Sequence, residues 1–101
     1  MIRSFSDPIA EKIFLGQRLT RKEEKSIGGL RIEKAQERLA ILNQASERDL
    51  LNLLALHYHR LHGKNRYSID ADSRKSKWRI TFAWANEELT DVNLVEIEDT
   101  H

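Results

Sequence analysis

Four histidines, His57, His59, His62 and His101, are the residues in this chain best suited to chemistry near neutral pH. Imidazole, with a reference pKa of about 6.5, either ligates a metal or moves a proton there. The spacing argues against a metal. His57 and His59 lie two apart with no cysteine nearby, no third ligand follows at zinc-site spacing, and the helical H-E-x-x-H pattern is absent. Neither a metal nor a cofactor is expected. Histidines on a strand edge are the plainer account of the mid-chain group, and a frayed tail is the plainer account of His101. With no cysteine in the chain, thiolate nucleophiles and disulfides are excluded. No G-x-S-x-G elbow marks a nucleophilic serine, and Gly28-Gly29 lacks the spacing of a phosphate loop.

The second constellation is basic: Arg60, Lys64, Arg66, Arg74, Lys75, Lys77 and Arg79, interleaved with Tyr67 and Trp78. Cations beside aromatic faces suit a polyanion whose bases can stack, which is RNA or single-stranded DNA. A solvated charged loop would look the same in the sequence. Charge order adds information that the net charge of +1 hides. From His57 to Arg79 seven Lys/Arg oppose two Asp, a balance of +5, whereas Ile80 to His101 holds six acids and no Lys or Arg. The basic segment is therefore followed by an acidic one.

Positioning these residues requires a folded scaffold. Asp7-Pro8 reads as a helix cap with proline at the first position, and Ile9, Ile13 and Phe14 recur at helical spacing up to Gly16. Thr20 and Glu23 form a capping box for a second helix over Arg21 to Asn43, carried by Ile32, Ala35, Leu39 and Leu42, with Gly28-Gly29 as its weak point. Ser46 and Asp49 offer another box, leading into a turn and then a strand around Leu56 to Leu61. Strands follow at Tyr67 to Asp70, Trp78 to Trp84 and Val92 to Glu98, the last two expected as an antiparallel hairpin. In "WRITFAW", Trp78, Ile80, Phe82 and Trp84 share one face and leave Arg79 and Thr81 on the other. Helices first and strands second is the α+β pattern.

Length and composition fit that scheme. A chain of 101 residues with 40% hydrophobic and 33% charged residues has room for one domain, residues 1–101, with a core of its own. No apolar run approaches the roughly 18 residues that cross a bilayer, and the N-terminus lacks a signal-peptide core. A cytoplasmic protein without a membrane partner is expected.

In order along the chain, "MIRSF", "IFLGQ", "RLAILNQA", "HRLHGKNRYSI", "WRITFAW" and "VEIEDTH" make this sequence resemble the HigB toxins of the RelE/ParE superfamily of type II toxin–antitoxin systems. The resemblance implies two N-terminal helices packed on one face of a small twisted antiparallel sheet, with a concave basic site on the other. It also implies a ribosome-dependent endoribonuclease that cuts mRNA, partnered by a helix-turn-helix antitoxin. By position, His59 falls on the family's histidine, Arg79 on the arginine of its "WRI", and Asp99 and His101 on the first and third residues of its Asp-Tyr-His ending. His62 stands where the family carries lysine, and Thr100 replaces the tyrosine.

The implied chemistry is metal-free attack of a ribose 2′-hydroxyl on the adjacent phosphate. His59, His62 and His101 are then candidates for proton transfer, Asp99 for orienting an imidazole, and Arg79 for neutralising phosphate charge. Arg60, Lys64, Arg66, Arg74, Lys75 and Lys77 would hold the RNA. Two alternatives share the scaffold: a non-catalytic ParE-like toxin that binds gyrase, and an inactive family member.

Overall fold

The computed structural model describes residues 1–100; the expectations for His101 lie outside the described residues. The described residues form an α+β fold with four α-helices and four strands. The first helix, α1 (Pro8–Leu15), begins where Asp7 accepts a hydrogen bond from the Ile9 N–H at 2.9 Å and ends at Gly16, whose φ of 72° places it in the left-handed region. The second expected helix is two helices. Its capping box holds, with Thr20 and Glu23 bonded reciprocally, but α2 (Arg21–Ser26) stops before the glycine pair and α3 (Ile32–Gln44) starts after it. Gly29 takes a φ of 86°, which reverses the chain where an L-residue would be strained. Arg31 supplies no side-chain cap for α3, and its N–H instead donates to Asp72 at 2.9 Å, so a buried carboxylate from the loop after the Tyr67–Asp70 strand satisfies the start of this helix.

The run after Ser46 is helical rather than extended. The Ser46–Asp49 box opens α4 (Glu47–Asn52), a 3-10 turn covers Leu54–Leu56, and β1 is only His59–Arg60. The strand expected from Leu56 to Leu61 is shortened because His57 adopts φ 53° and ψ 46°, a left-handed conformation that interrupts extended backbone. The remaining strands fall where the sequence puts them: β2 (Tyr67–Asp70), β3 (Trp78–Trp84) and β4 (Val92–Asp99). All neighbours are antiparallel, in the order β1-β2-β3-β4. Leu94, with φ 53°, is the extra residue of a bulge that shifts the β3–β4 register.

Residues 1–6 run beside β4 as a parallel neighbour, with Ile2 and Phe5 opposite Val92 and Val95. This segment covers an edge that would otherwise expose unpaired backbone groups. The inner pleat of the sheet, with Ile69, Ile80, Phe82, Val95 and Ile97, packs with Ala10, Ile13, Ala35, Leu39, Leu42, Leu50 and Leu56 into one core. No helix among the described residues is long and apolar enough to cross a membrane.

Candidate functional site

The outer pleat is polar, and strand register explains its composition. His59 pairs with Ser68, Ser68 with Thr81, and Thr81 with Glu96, one row across all four strands. One step along, Asp70 pairs with Arg79 and Arg79 with Glu98. Extending the β1–β2 register brings His57 opposite Asp70, and its Nδ1 lies 2.7 Å from Asp70 Oδ2. Directly opposed residues share a pleat, so both rows lie on the face that the core does not use.

Asp70 is the hub of this face. Its side chain is fully buried, and His57 Nδ1, Arg79 Nε at 3.3 Å and Arg74 Nη1 at 3.4 Å surround it. A carboxylate this deep is tolerated in the fold because such partners satisfy it. Sequence reasoning aims Arg79 at a substrate phosphate; the structure turns its guanidinium inward. Arg79 is 4% exposed, and its Nη1 donates to the carbonyls of Ser76 at 2.5 Å and Trp78 at 2.7 Å, while Nη2 donates to that of Arg74 at 3.2 Å. With Nε on Asp70, the guanidinium organises the 71–77 loop and is nearly closed off from solvent.

Arg66 crosses the outer pleat. Its Nη1 donates to the Leu94 carbonyl at 2.9 Å and its Nη2 to Thr81 Oγ1 at 3.0 Å, with Glu96 at 3.4 Å; Thr81 in turn donates to Glu98. The β1–β2 hairpin is thereby drawn over the sheet. Leu61, His62 and Lys64 of that hairpin face Glu98, Asp99 and Thr100 across a cleft of about 350 Å³. His62, Lys64 and Asp99 are therefore brought together. Asp99 pairs with Trp78, which puts it on the inner pleat, and it borders the cleft from the strand end rather than from the row holding Arg79.

The remaining cations disperse. Arg60 alternates away from His59, opposite Tyr67, and its Nε donates to the Lys64 carbonyl at 3.0 Å. Lys77 lies over the Trp78 ring at 4.9 Å, and Lys75 is exposed on the 71–77 loop. In place of a uniformly basic face, the rows set Asp70, Glu96 and Glu98 against Arg66, Arg74 and Arg79. Among the described residues, no group of three or more His, Asp or Glu is arranged to hold a metal ion. No family model, curated protein or solved structure matches this chain.

Sequence reasoning missed His57 as a site residue, and with it Asp70, Glu96 and Glu98. The signal was present in the alternation: once Tyr67 to Asp70 and Trp78 to Trp84 pair with their aromatic residues inward, Asp70 must meet Arg79. Below the rows, Tyr58 fixes β1 from inside. Its hydroxyl donates to Glu47 at 2.6 Å and accepts from Trp84 Nε1 at 3.0 Å. Burial, reinforced by Glu47, holds the phenol neutral well above the usual tyrosine range. Tyr58 is thus an anchor for the flanking His57 and His59 and not an acid–base group.

Proposed function

We propose that the chain is a HigB-type toxin of the RelE/ParE superfamily, with a RelE-like arrangement of helices and sheet, acting in the cytoplasm as a ribosome-dependent endoribonuclease and held in check by a helix-turn-helix antitoxin. The observation that carries this reading is an open polar cleft at the hairpin and the end of β4, where His62 and Lys64 face Glu98, Asp99 and Thr100 beside the polar outer pleat. Such a cleft suits one phosphodiester of a single strand, which needs proton-transfer groups and a cation and no apolar enclosure. Lys64 is the cation of the cleft and His62 its imidazole, and His59 heads the neighbouring outer row on β1 as a further candidate for proton transfer. Arg79 braces the 71–77 loop and holds Asp70 instead of meeting the phosphate.

The buried Arg79 guanidinium favours a second reading, a toxin on the same scaffold that acts by protein contact with gyrase and without chemistry. Toeprinting of mRNA on translating ribosomes decides between them. Breaks in mRNA at the ribosomal decoding site, abolished by co-expressed antitoxin, are expected. Intact mRNA accompanied by DNA breakage would replace the ribonuclease with the gyrase poison.

A further inference from the structure

We propose that His57, oriented by Asp70, is the base that takes the 2′-hydroxyl proton, with His59 beside it as the acid; this deepens the ribonuclease reading and rests on it. Four observations support the pair. The His57 side chain is 44% exposed while Asp70 is fully buried, so one ring edge is tied into the sheet and the other meets solvent. The 2.7 Å contact is at Nδ1, so in the neutral imidazole a proton on Nδ1 is donated to the carboxylate and the lone pair is on Nε2, the tautomer that a general base requires. Left-handed backbone at His57 (φ 53°) aims the ring at Asp70 and closes the 3-10 turn. Two residues on, His59 Nδ1 lies 2.9 Å from the His57 carbonyl, which accepts its proton, so Nε2 is the nitrogen left for the substrate.

The charged groups around His57 suit this division of labour. Asp70 faces it from β2 through Oδ2 and holds Arg79 of β3 and Arg74 of the 71–77 loop on Oδ1; His59 flanks it on β1, and Glu98 ends the row of Asp70 and Arg79 on β4. Asp70, with two guanidiniums on its other oxygen, orients the imidazole and faces the imidazolium that forms. In the step, the 2′-hydroxyl proton passes to His57 Nε2 as the 2′-oxygen bonds to phosphorus. The bond from phosphorus to the 5′-oxygen breaks, and that oxygen keeps the electron pair and takes the Nε2 proton of the His59 imidazolium. The products are a 2′,3′-cyclic phosphate and a 5′-hydroxyl, with His57 charged and His59 neutral. Asp70 is a positioning residue and His57 a catalytic one.

The test compares wild type, His57→Gln and His57→Gly in cleavage of ribosome-bound mRNA across pH, with thermal unfolding of each. Glycine accepts the left-handed backbone and vacates the ring volume, so added imidazole can occupy it. Expected are losses of roughly 10²–10⁴-fold in both variants, disappearance of the acid limb of the rate profile, and partial rescue of His57→Gly by imidazole. Wild-type rate in His57→Gln overturns the proposal. So does a loss in both variants that imidazole does not restore, because His57 would then serve only to hold the sheet. If the wild-type protein leaves mRNA intact, the ribonuclease reading fails and the base assignment with it, so the two failures separate in the wild-type lane.

Discussion

At the scale of single residues, the Asp70–Arg79 pair reverses the role that Arg79's sequence position suggests. An arginine after tryptophan in a strand looks like a phosphate clamp, yet here its donors go to Asp70 and to three carbonyls. Removing one partner of a buried pair costs about 3–5 kcal/mol when the other charge is left alone, and here Arg74 and His57 still flank Asp70. Arg79→Ala is therefore expected to lower unfolding free energy in urea titrations by less than about 3–5 kcal/mol but measurably. A variant with wild-type stability and lost cleavage would return Arg79 to the phosphate. The pair was half legible. Alternation placed Arg79 on the polar pleat, but burial on that pleat comes from the 71–77 loop folding over it, which no strand pattern encodes.

At the scale of elements, the glycine pair shows how a local weakness becomes a structural boundary. Gly28-Gly29 marks the weak point of the second helix in the sequence, and the chain breaks there because Gly29 adopts φ 86°. The two positions should respond differently to a methyl group. Around Gly29 there is open space, but the left-handed backbone makes Gly29→Ala unfavourable by about 1–2 kcal/mol. At Gly28 a Cβ would meet the Lys25 carbonyl at 3.5 Å, an ordinary contact, so Gly28→Ala should be close to neutral. Equal thermal shifts for the two variants would mean that the break does not depend on the backbone of Gly29. Strands β2, β3 and β4 were legible because alternating apolar residues have one buried face to choose. The short β1 was not, since an apolar run such as "LLNLLALHY" has no period of its own and the left-handed turn at His57 decides where extension begins.

At the scale of the molecule, the N-terminal segment runs along β4. The Met1 ammonium lies 3.3 Å from Asp91, and Arg3 donates to the same carboxylate at 2.7 Å. The Arg3 hydrogen bond, aided by the terminal ammonium, holds the Asp91 carboxyl below its ordinary range. A depressed carboxylate stabilises the fold above its unfolded pKa of about 3.9 and loses that contribution as pH falls through the lower folded value. The melting difference between wild type and Asp91→Asn should accordingly be full at neutral pH and close under acid. A difference that persists at low pH would indicate that the carboxylate charge is not its source.

The same scale governs nucleic-acid affinity. Glu96 and Glu98 lie on the outer pleat with Arg66 and Thr81, so they offset cations that would otherwise attract RNA nonspecifically. Replacing both with glutamine is expected to tighten binding of ribosome-free RNA and steepen its salt dependence, measured by fluorescence anisotropy. Unchanged affinity would show that RNA approaches by another face.

The order of residues alone determined the α+β class, three of the strands and the helix caps, because capping boxes, proline and glycine positions and apolar alternation act within a few residues of one another. It also marked the mid-chain histidines and the basic segment as chemically able. Which of those groups share a face was decided only by tertiary structure. Register across β1 to β4 set His57 on Asp70, buried Arg79 and spread the other cations, since pairing partners far apart in the chain are chosen by burial of the inner pleat and not by local sequence.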